Sequence, residues 1–594
     1  MTKQAFYSEK IEGYTSAVQS FKNKIAFSAL LRLVAFGAFA FGFYYLIKAY
    51  SISLLVFTII LLILFVAAVK HAIRLREKKE LLERLLFVNQ NELTIIEGGL
   101  NSMDDGKAFS VADGYDSDLD IFGNKSLYHL LNRCTTTHGK DRLAALLMYP
   151  LLQPGNIIER QDALTVFSPQ ADKRQQITAY GLLHKEEEGN LHSIKEWLQT
   201  GKNLHEKKWL RVARWILILY NIPCFILYID NGNISYLLAG VAMSWLLMLP
   251  FVKYIHQQHQ LISKKQAVLY QYADILSTFS EIDTGNSTLL KQLQTTAQQA
   301  HGAISRLAKL SSMFDQRLNL LVNVFLNSII LYDLYCILGL EKWKAQHSKA
   351  FDQWLFAVGD IECLNALASF AFNNEHFVYP TVVDSKNLSI ETTVMGHPLI
   401  AAKERVTNDF EAGKTARLLL VTGSNMSGKT TFLRTLGINL ILAQCGAPVC
   451  ALNFVFTPMK ILTSIRVNDS LQEHTSYFMA ELKRLQLIIQ QLQQGIPALV
   501  LIDEILRGTN SEDKTHGSEQ FILQLIRYNC ITLFATHDLT LASLENDHKG
   551  VISNCCFESI IQNNTLYFDY KLQRGVAKNK NASFLMKQMG IVEA

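Results

Sequence analysis

The densest chemistry in the chain lies in eight consecutive residues, Gly423-Ser424-Asn425-Met426-Ser427-Gly428-Lys429-Thr430. This is the pattern G-x-x-x-x-G-K-[ST], followed by Thr431. Glycines at its two ends let backbone N–H groups curl around phosphate oxygens, Lys429 carries a positive charge to the β- and γ-phosphates, and Thr430 offers a hydroxyl to Mg²⁺. Downstream, the apolar run Ala498–Ile502 ends in Asp503-Glu504. An acid at that position can hold Mg²⁺, and its neighbour can take a proton from an attacking water, so Asp503 is assigned to the metal and Glu504 to general-base chemistry. A further apolar run, Ile531–Thr536, ends in His537, placed to sense the γ-phosphate. The reagent this spacing calls for is a nucleoside triphosphate with Mg²⁺.

These side chains meet only if three apolar runs are neighbouring strands. Leu418–Val421 before the loop reads as a buried strand, and the stretch after Thr430 as a helix whose N-terminal dipole faces the same anion. From Asp384 to Ala594, short apolar strands alternate with helical stretches, the pattern of a doubly wound α/β domain. Residues 116–205 read as helical after an extended start near Asp116, and residues 257–350 as long helices rich in Gln, Leu and Lys.

The chain has 594 residues, 49% of them hydrophobic, which directs attention to membrane segments. Ile25–Ile47 and Ile52–Val69 are each close to the ~20 residues that cross a hydrocarbon core. They are joined by Lys48-Ala49-Tyr50-Ser51 and flanked by Lys22, Lys24 and Arg32 on one side and Lys70, Arg74, Arg76, Lys78 and Lys79 on the other. The positive-inside rule puts both flanks in the cytoplasm. A second hairpin, Trp215–Ile229 and Ile234–Val252, turns at Asp230-Asn231-Gly232-Asn233. Leu318–Leu340 is read as a helix buried in protein, because Asn319, Asn323 and Asn327 line one face and a fifth crossing would move the triphosphate site outside. The nine cysteines show no metal or framework spacing, and a net charge of +5 is too weak to argue for nucleic acid.

Several segments resemble the MutS family of mismatch-repair ATPases. They are Thr422–Thr430 (TGSNMSGKT), Asp503-Glu504-Ile505-Leu506-Arg507-Gly508-Thr509 with Ser511 and Asp513, and Ala535-Thr536-His537. Asp469 through Ser476-Tyr477-Phe478-Met479-Ala480-Glu481 resembles the family's signature segment, with His474 where the family carries glycine. Leu119–Gly123, Leu130–Arg133 and Glu159–Ala163 resemble its helical core, and Gly396-His397-Pro398 and Asn408-Asp409 the start of its ATPase domain. The resemblance covers roughly residues 116–205 and 350–594. It implies ATP, Mg²⁺, a homodimer in which Ser476 reaches the partner subunit's nucleotide, and DNA as the gripped substrate. It departs at His474; in the second hairpin, which sits near where the family's DNA clamp would be inserted; and in the first hairpin, which occupies the place of the mismatch-reading domain, so mismatch reading itself is not expected.

The expected fold is α+β and multidomain, a helical core and lever domain with two transmembrane hairpins and a C-terminal α/β P-loop ATPase domain of the ABC type. The expected boundaries are 1–24 (cytoplasmic segment), 25–69 (hairpin 1), 70–115 (linker), 116–210 (core), 211–255 (hairpin 2), 256–380 (levers) and 381–594 (ATPase). The expected location is the inner membrane, multi-pass, with both termini cytoplasmic. Two other activities fit the same features: a membrane scaffold that uses ATP to switch a protein partner, and an ABC-type transporter. The transporter is disfavoured by the lack of an L-S-G-G-Q segment.

Overall fold

The computed structural model describes residues 2–578 apart from 50, 112–113, 185, 187–188, 233, 415, 425, 467–476, 507–508 and 563–564. Two long helices open the chain, α1 (Lys3–Lys48) and α2 (Ile52–Ile96), side by side and antiparallel. Ser51 separates them, its hydroxyl accepting the Leu54 N–H at 3.2 Å to cap α2. A helical body follows: α3 (Tyr115–Asp118), α4 (Leu127–Leu131), α5 (Thr137–Met148), α6 (Pro154–Phe167), α7 (Ala171–Leu183) and α8 (Asn190–Gln199). The segment near Asp116, expected to be extended, is the short helix α3. Its acids turn inward to serve backbone N–H groups, as in the bond from Val111 N–H to Asp116 (3.0 Å).

Next come α9 (Lys208–Asn231), α10 (Ser235–Met248), α11 (Val252–Ile262), α12 (Gln266–Ser280) and α13 (Thr288–Asp315). Pro223 lies inside α9 without ending it. α14 (Leu320–Ile330) and α15 (Tyr332–Asn373) then divide the run Leu318–Leu340 at Leu331, whose φ of 47° breaks the helix. The expectation of one protein-buried helix therefore holds only for the α15 half. α14 leaves Leu320, Val324 and Phe325 exposed, and it lies against α9 and α10. Five helices among the described residues are long and apolar enough to cross a membrane, and α15 is one of them, though mostly buried in the protein.

The C-terminal part holds two sheets rather than the single one expected. A four-stranded sheet, in the order β1 (Thr381–Val382), β5 (Asn453–Phe456), β2 (Ile390–Met395), β3 (Asn408–Ala412), precedes and flanks the phosphate loop. The main sheet runs β10 (Thr565–Arg574), β9 (Ile552–Gln562), β4 (Leu418–Gly423), β8 (Cys530–Thr536), β7 (Ala498–Asp503), β6 (Lys460–Ser464). All its pairs are parallel except β9–β10. β4, β7 and β8 are buried along their whole length, which is why they read as unbroken apolar runs. The helices α16 (Lys429–Gln444), α17 (Tyr477–Leu492), α18 (Ser511–Leu525) and α19 (Leu544–Asp547) complete this part.

One continuous core joins the helical body to the sheets, running from Leu119, Ile121 and Tyr128 to Leu436 and Leu440 of α16. The contact is close: a Cβ at Gly437 would lie 2.8 Å from Leu119 Cδ1. The charged side of this junction is equally explicit. Asp118 accepts from Thr463 Oγ1 (2.5 Å) and Arg466 N (2.7 Å), and Asp120 bridges Arg434 and Arg466, each at 2.8 Å.

Candidate nucleotide site

The parallel register brings the chemistry together. Thr422 pairs with Thr536, and Asp503 with Ala535, so β4, β7 and β8 end at one level. The phosphate loop, Asp503-Glu504 and His537 all emerge there, at the carboxyl edge where open α/β sheets bind ligands. A cavity of about 530 Å³ opens beside them, walled by Lys429, Thr430, Asp503 and Glu504 on one side and by His397 and Tyr570 on the other.

The loop is tight because its glycines must be glycines. Gly423 has φ 153° and Gly428 φ 105°, and a Cβ at Gly423 would meet Ser427 Oγ at 2.7 Å and the Phe557 carbonyl at 2.9 Å. Gly428 is the N-cap of α16, so the helix begins at Lys429 itself. Lys429 is buried, its ammonium donating to the carbonyls of Gly423 (2.8 Å) and Ser424 (3.0 Å), with His537 Nδ1 at 3.3 Å. The Thr430 hydroxyl donates to Asp503 Oδ2 at 2.5 Å. The Ser427 hydroxyl is buried without a protein partner.

Glu504 and His537 form a pair. His537 Nδ1 lies 2.8 Å from the Gly423 carbonyl, and its Nε2 meets Glu504 Oε1. Glu504 sits at φ 49°, a left-handed conformation costly for a residue with a Cβ, and its N–H is held by the Ala535 carbonyl at 3.0 Å. The strain turns its carboxylate back over the strand ends toward the cavity.

Of the site residues expected from sequence, Gly423, Ser424, Met426, Ser427, Gly428, Lys429, Thr430, Thr431, Asp503, Glu504 and His537 converge here. Asn425 and Ser476 lie outside the described residues, as do His474, Arg507 and Gly508. The structure adds Tyr570, which sequence reasoning missed. It occupies the bulge of β10 at φ 54°, beside Gly428. Asn408 holds that bulge with both ends of its amide, donating to the Tyr570 carbonyl (3.0 Å) and accepting the Leu572 N–H (2.8 Å). The pair Asn408-Asp409 was the available signal, but nothing in it points to residue 570. His397, across the cavity, is kept neutral: burial, then Arg434, pushes its imidazole down to about 4.

The oxygen donors of Thr430 and Asp503 suit a hard cation such as Mg²⁺, and the buried Ser427 hydroxyl inside the glycine cradle suits a phosphate oxygen. A phosphate loop at the edge of a mostly parallel sheet, carried on long helices, defines a P-loop ATPase domain on a lever body. Comparison with known families matches residues 112–494 to MutS domain III and residues 419–590 to MutS domain V. The first match spans more than half the chain, so the chain belongs to the MutS family; its domain V is an ATPase domain. It is similar to the DNA mismatch repair protein MutS of Clostridium kluyveri, 31% identical over 246 residues, 40% of this chain and 27% of that protein. MutS protein homolog 4 of Mus musculus is 32% identical over 240 residues (38% and 24%), and MutS of Thermotoga maritima 30% over 235 (39% and 29%). The matched stretches thus span 24–29% of those relatives.

Proposed function

We propose that this chain is a membrane-anchored MutS-family ATPase that works as a homodimer, its levers switched by ATP binding and hydrolysis on DNA. The observation that carries the ATPase reading is the convergence of Lys429, Thr430, Asp503, Glu504 and His537 at one strand-end edge. Thr430 and Asp503 would hold Mg²⁺. When bound, that ion offsets the negative charge on the β- and γ-phosphates. Lys429 exchanges its two loop carbonyls for phosphate oxygens, and Glu504 accepts the proton of the attacking water. His537, anchored through Nδ1 on the loop carbonyl, orients Glu504 and reports the γ-phosphate. The Tyr570 ring offers the purine base a stacking face. Ser476 of a second copy completes the site, as the family resemblance implies.

The membrane reading rests on an inverted distribution of polarity. In α1–α2, Ser28, Gly42 and Thr58 are buried while Leu33, Phe41, Ile52 and Ile63 are exposed. In α9–α10, Asn221 and Ser244 are each 0% exposed while Leu246 is 69% exposed. Water would favour the reverse, and hydrocarbon favours this arrangement. We propose hairpins at 25–69 and 211–255, a cytoplasmic segment before them, a core at 116–210, levers at 256–380 and the ATPase domain from 381. The location is the cell's inner membrane, with the ATPase on the cytoplasmic side.

DNA enters through family membership and the exposed cations Lys264, Lys291, Arg306 and Lys309 on the levers. Two neighbouring cations are engaged within the protein: Arg317 pairs with Asp333 (3.4 Å) and Lys265 donates to Asn190 (2.5 Å). ATPase assays of the detergent-solubilised chain with duplex DNA at two salt concentrations test this reading. Stimulation that falls with salt, equal for matched and mismatched duplexes to within about threefold, is expected. No stimulation by any duplex would overturn DNA and leave a protein partner as what the levers switch.

A further inference from the structure

Resting on the membrane reading, we propose that α14 is a third membrane-embedded element, seated in the cytoplasmic leaflet against α9 and α10, with lipid acyl chains covering its outer face. The helix is inside out for water. Asn327 and Ser328 are buried, while Leu320 is 73% and Phe325 58% exposed, with Val324 beside them. An amphipathic helix on a soluble protein turns the opposite face outward.

The polar side chains of α14 and its neighbours bond mainly to one another, the Asn221 Oδ1 excepted. Asn221 of α9 donates to the Ser244 hydroxyl and to the Ser328 carbonyl, both at 3.1 Å, and Trp245 Nε1 donates to the Ser328 hydroxyl at 3.1 Å. At the ends of α14, Asn319 accepts the Val322 N–H (3.3 Å) and Arg214 donates to the Ile330 carbonyl (3.3 Å). Such internal satisfaction is what hydrocarbon demands of a helix. The packed neighbours also expose apolar residues, Ile222 and Ile226 of α9 and Leu238 and Leu246 of α10. The same solvent that covers the hairpin therefore covers α14.

Eleven residues span about 16 Å, too short to cross a ~30 Å hydrocarbon core. The two ends are clasped together, Arg317 before the helix pairing with Asp333 after it at 3.4 Å, and Asn327 Oδ1 accepting the Asp333 N–H at 2.8 Å. The chain therefore enters and leaves on one side, and the crossings stay even in number. The lever α13 reaches the bilayer directly through this element.

Spin labels on single introduced cysteines test the proposal, since all nine native cysteines are buried. Phe325→Cys and Val324→Cys are compared in proteoliposomes with Leu246→Cys on α10 and Gln299→Cys on α13, reading collisions with oxygen against a water-soluble nickel complex. Retained ATPase activity verifies folding. The oxygen-to-nickel ratio at 324 and 325 is expected to match that at 246 and to exceed that at 299 by about tenfold. A ratio at 325 equal to that at 299, with 246 still lipid-like, overturns the proposal and leaves the hairpin standing. Water-like values at both 246 and 325 overturn the membrane reading as well.

Discussion

Glu92 on α2 is the point where the first helical pair is fastened to the rest of the chain. Its carboxylate accepts from Arg133 at 2.9 and 2.8 Å and from the Asn373 amide at 2.7 Å, and Asn373 in turn accepts the Tyr7 hydroxyl at 2.8 Å. Four elements meet: α1, α2, the loop after α4, and the end of α15. Glu92 and Arg133 are only 5% and 3% exposed. Burial pushes the Glu92 carboxyl up, but the Arg133 guanidinium outweighs it and holds the group below the usual carboxylate range. Replacing Glu92 with Gln leaves Arg133 charged and uncompensated in the interior, a loss of about 3–5 kcal/mol. On a chain of 594 residues that lowers the melting temperature by roughly 2–4 °C. Thermal unfolding of the detergent-solubilised chain, followed by near-ultraviolet circular dichroism, reads the shift. The pair Glu92→Leu with Arg133→Met is expected to recover most of it, because a well-packed apolar pair needs no counter-charge. The contribution of Glu92 is full above its unfolded pKa and is lost as pH falls through the lower folded value. A Glu92→Gln variant that melts within about 0.5 °C of wild type would refute the reasoning, since a buried lone guanidinium cannot be that cheap.

Three further outcomes are expected. Glu504→Ala retains ATP and lowers turnover by about 10²–10⁴-fold, the range for a positioned general base; wild-type hydrolysis would remove that role from Glu504. Tyr570→Ala raises the KM for ATP several-fold with kcat little changed, because base stacking contributes about 1–3 kcal/mol; an unchanged KM in steady-state assays would take the ring out of the site. Asp274 on α12, pushed up to about 6 by burial, keeps its proton in the fold when the unfolded carboxyl has already lost it. Stability therefore falls as pH rises between about 4 and 6, and the full penalty is present above. Asp274→Asn is expected to raise the melting temperature at pH 7.5 and to leave it unchanged near pH 4; a shift equal at both pH values would contradict the assignment.

The parts of the site that could be read from sequence are those carried by short-range pattern. Gly423 to Thr430 is one loop, and Asp503 and His537 each close an apolar run whose burial on both faces is written in its composition. What eluded sequence reasoning is held by long-range contact. Tyr570 reaches the cavity because Asn408, far earlier in the chain, seizes a bulge in β10. The four-stranded sheet pairs β1 with β5 across the whole phosphate-loop helix, a pairing no local periodicity announces. In the run Leu318–Leu340 the asparagine spacing suggests protein burial along the whole length, but only the part after Leu331 is mostly buried. Before the break at Leu331, Asn327 accepts the Asp333 N–H and Ser328 bonds to α9 and α10 while apolar residues face out. The Glu504–His537 contact follows from the register of β7 and β8, and neither residue alone suggests the other.

α2 continues as one unbroken helix from Ile52 to Ile96, and its far end is clasped at Glu92 to α15 and so to the start of the sheets. From Leu61, at the centre of the apolar stretch, to Glu92 is about 46 Å of rigid rod. Set in a bilayer, such a rod converts thickness into displacement. A thinner membrane forces a tilt, and about 5° at Leu61 carries Glu92 sideways by about 4 Å. On the proposed membrane reading, thickness would be a mechanical input to the helical body, with α2 as the gauge needle and Arg133 and Asn373 as its bearing.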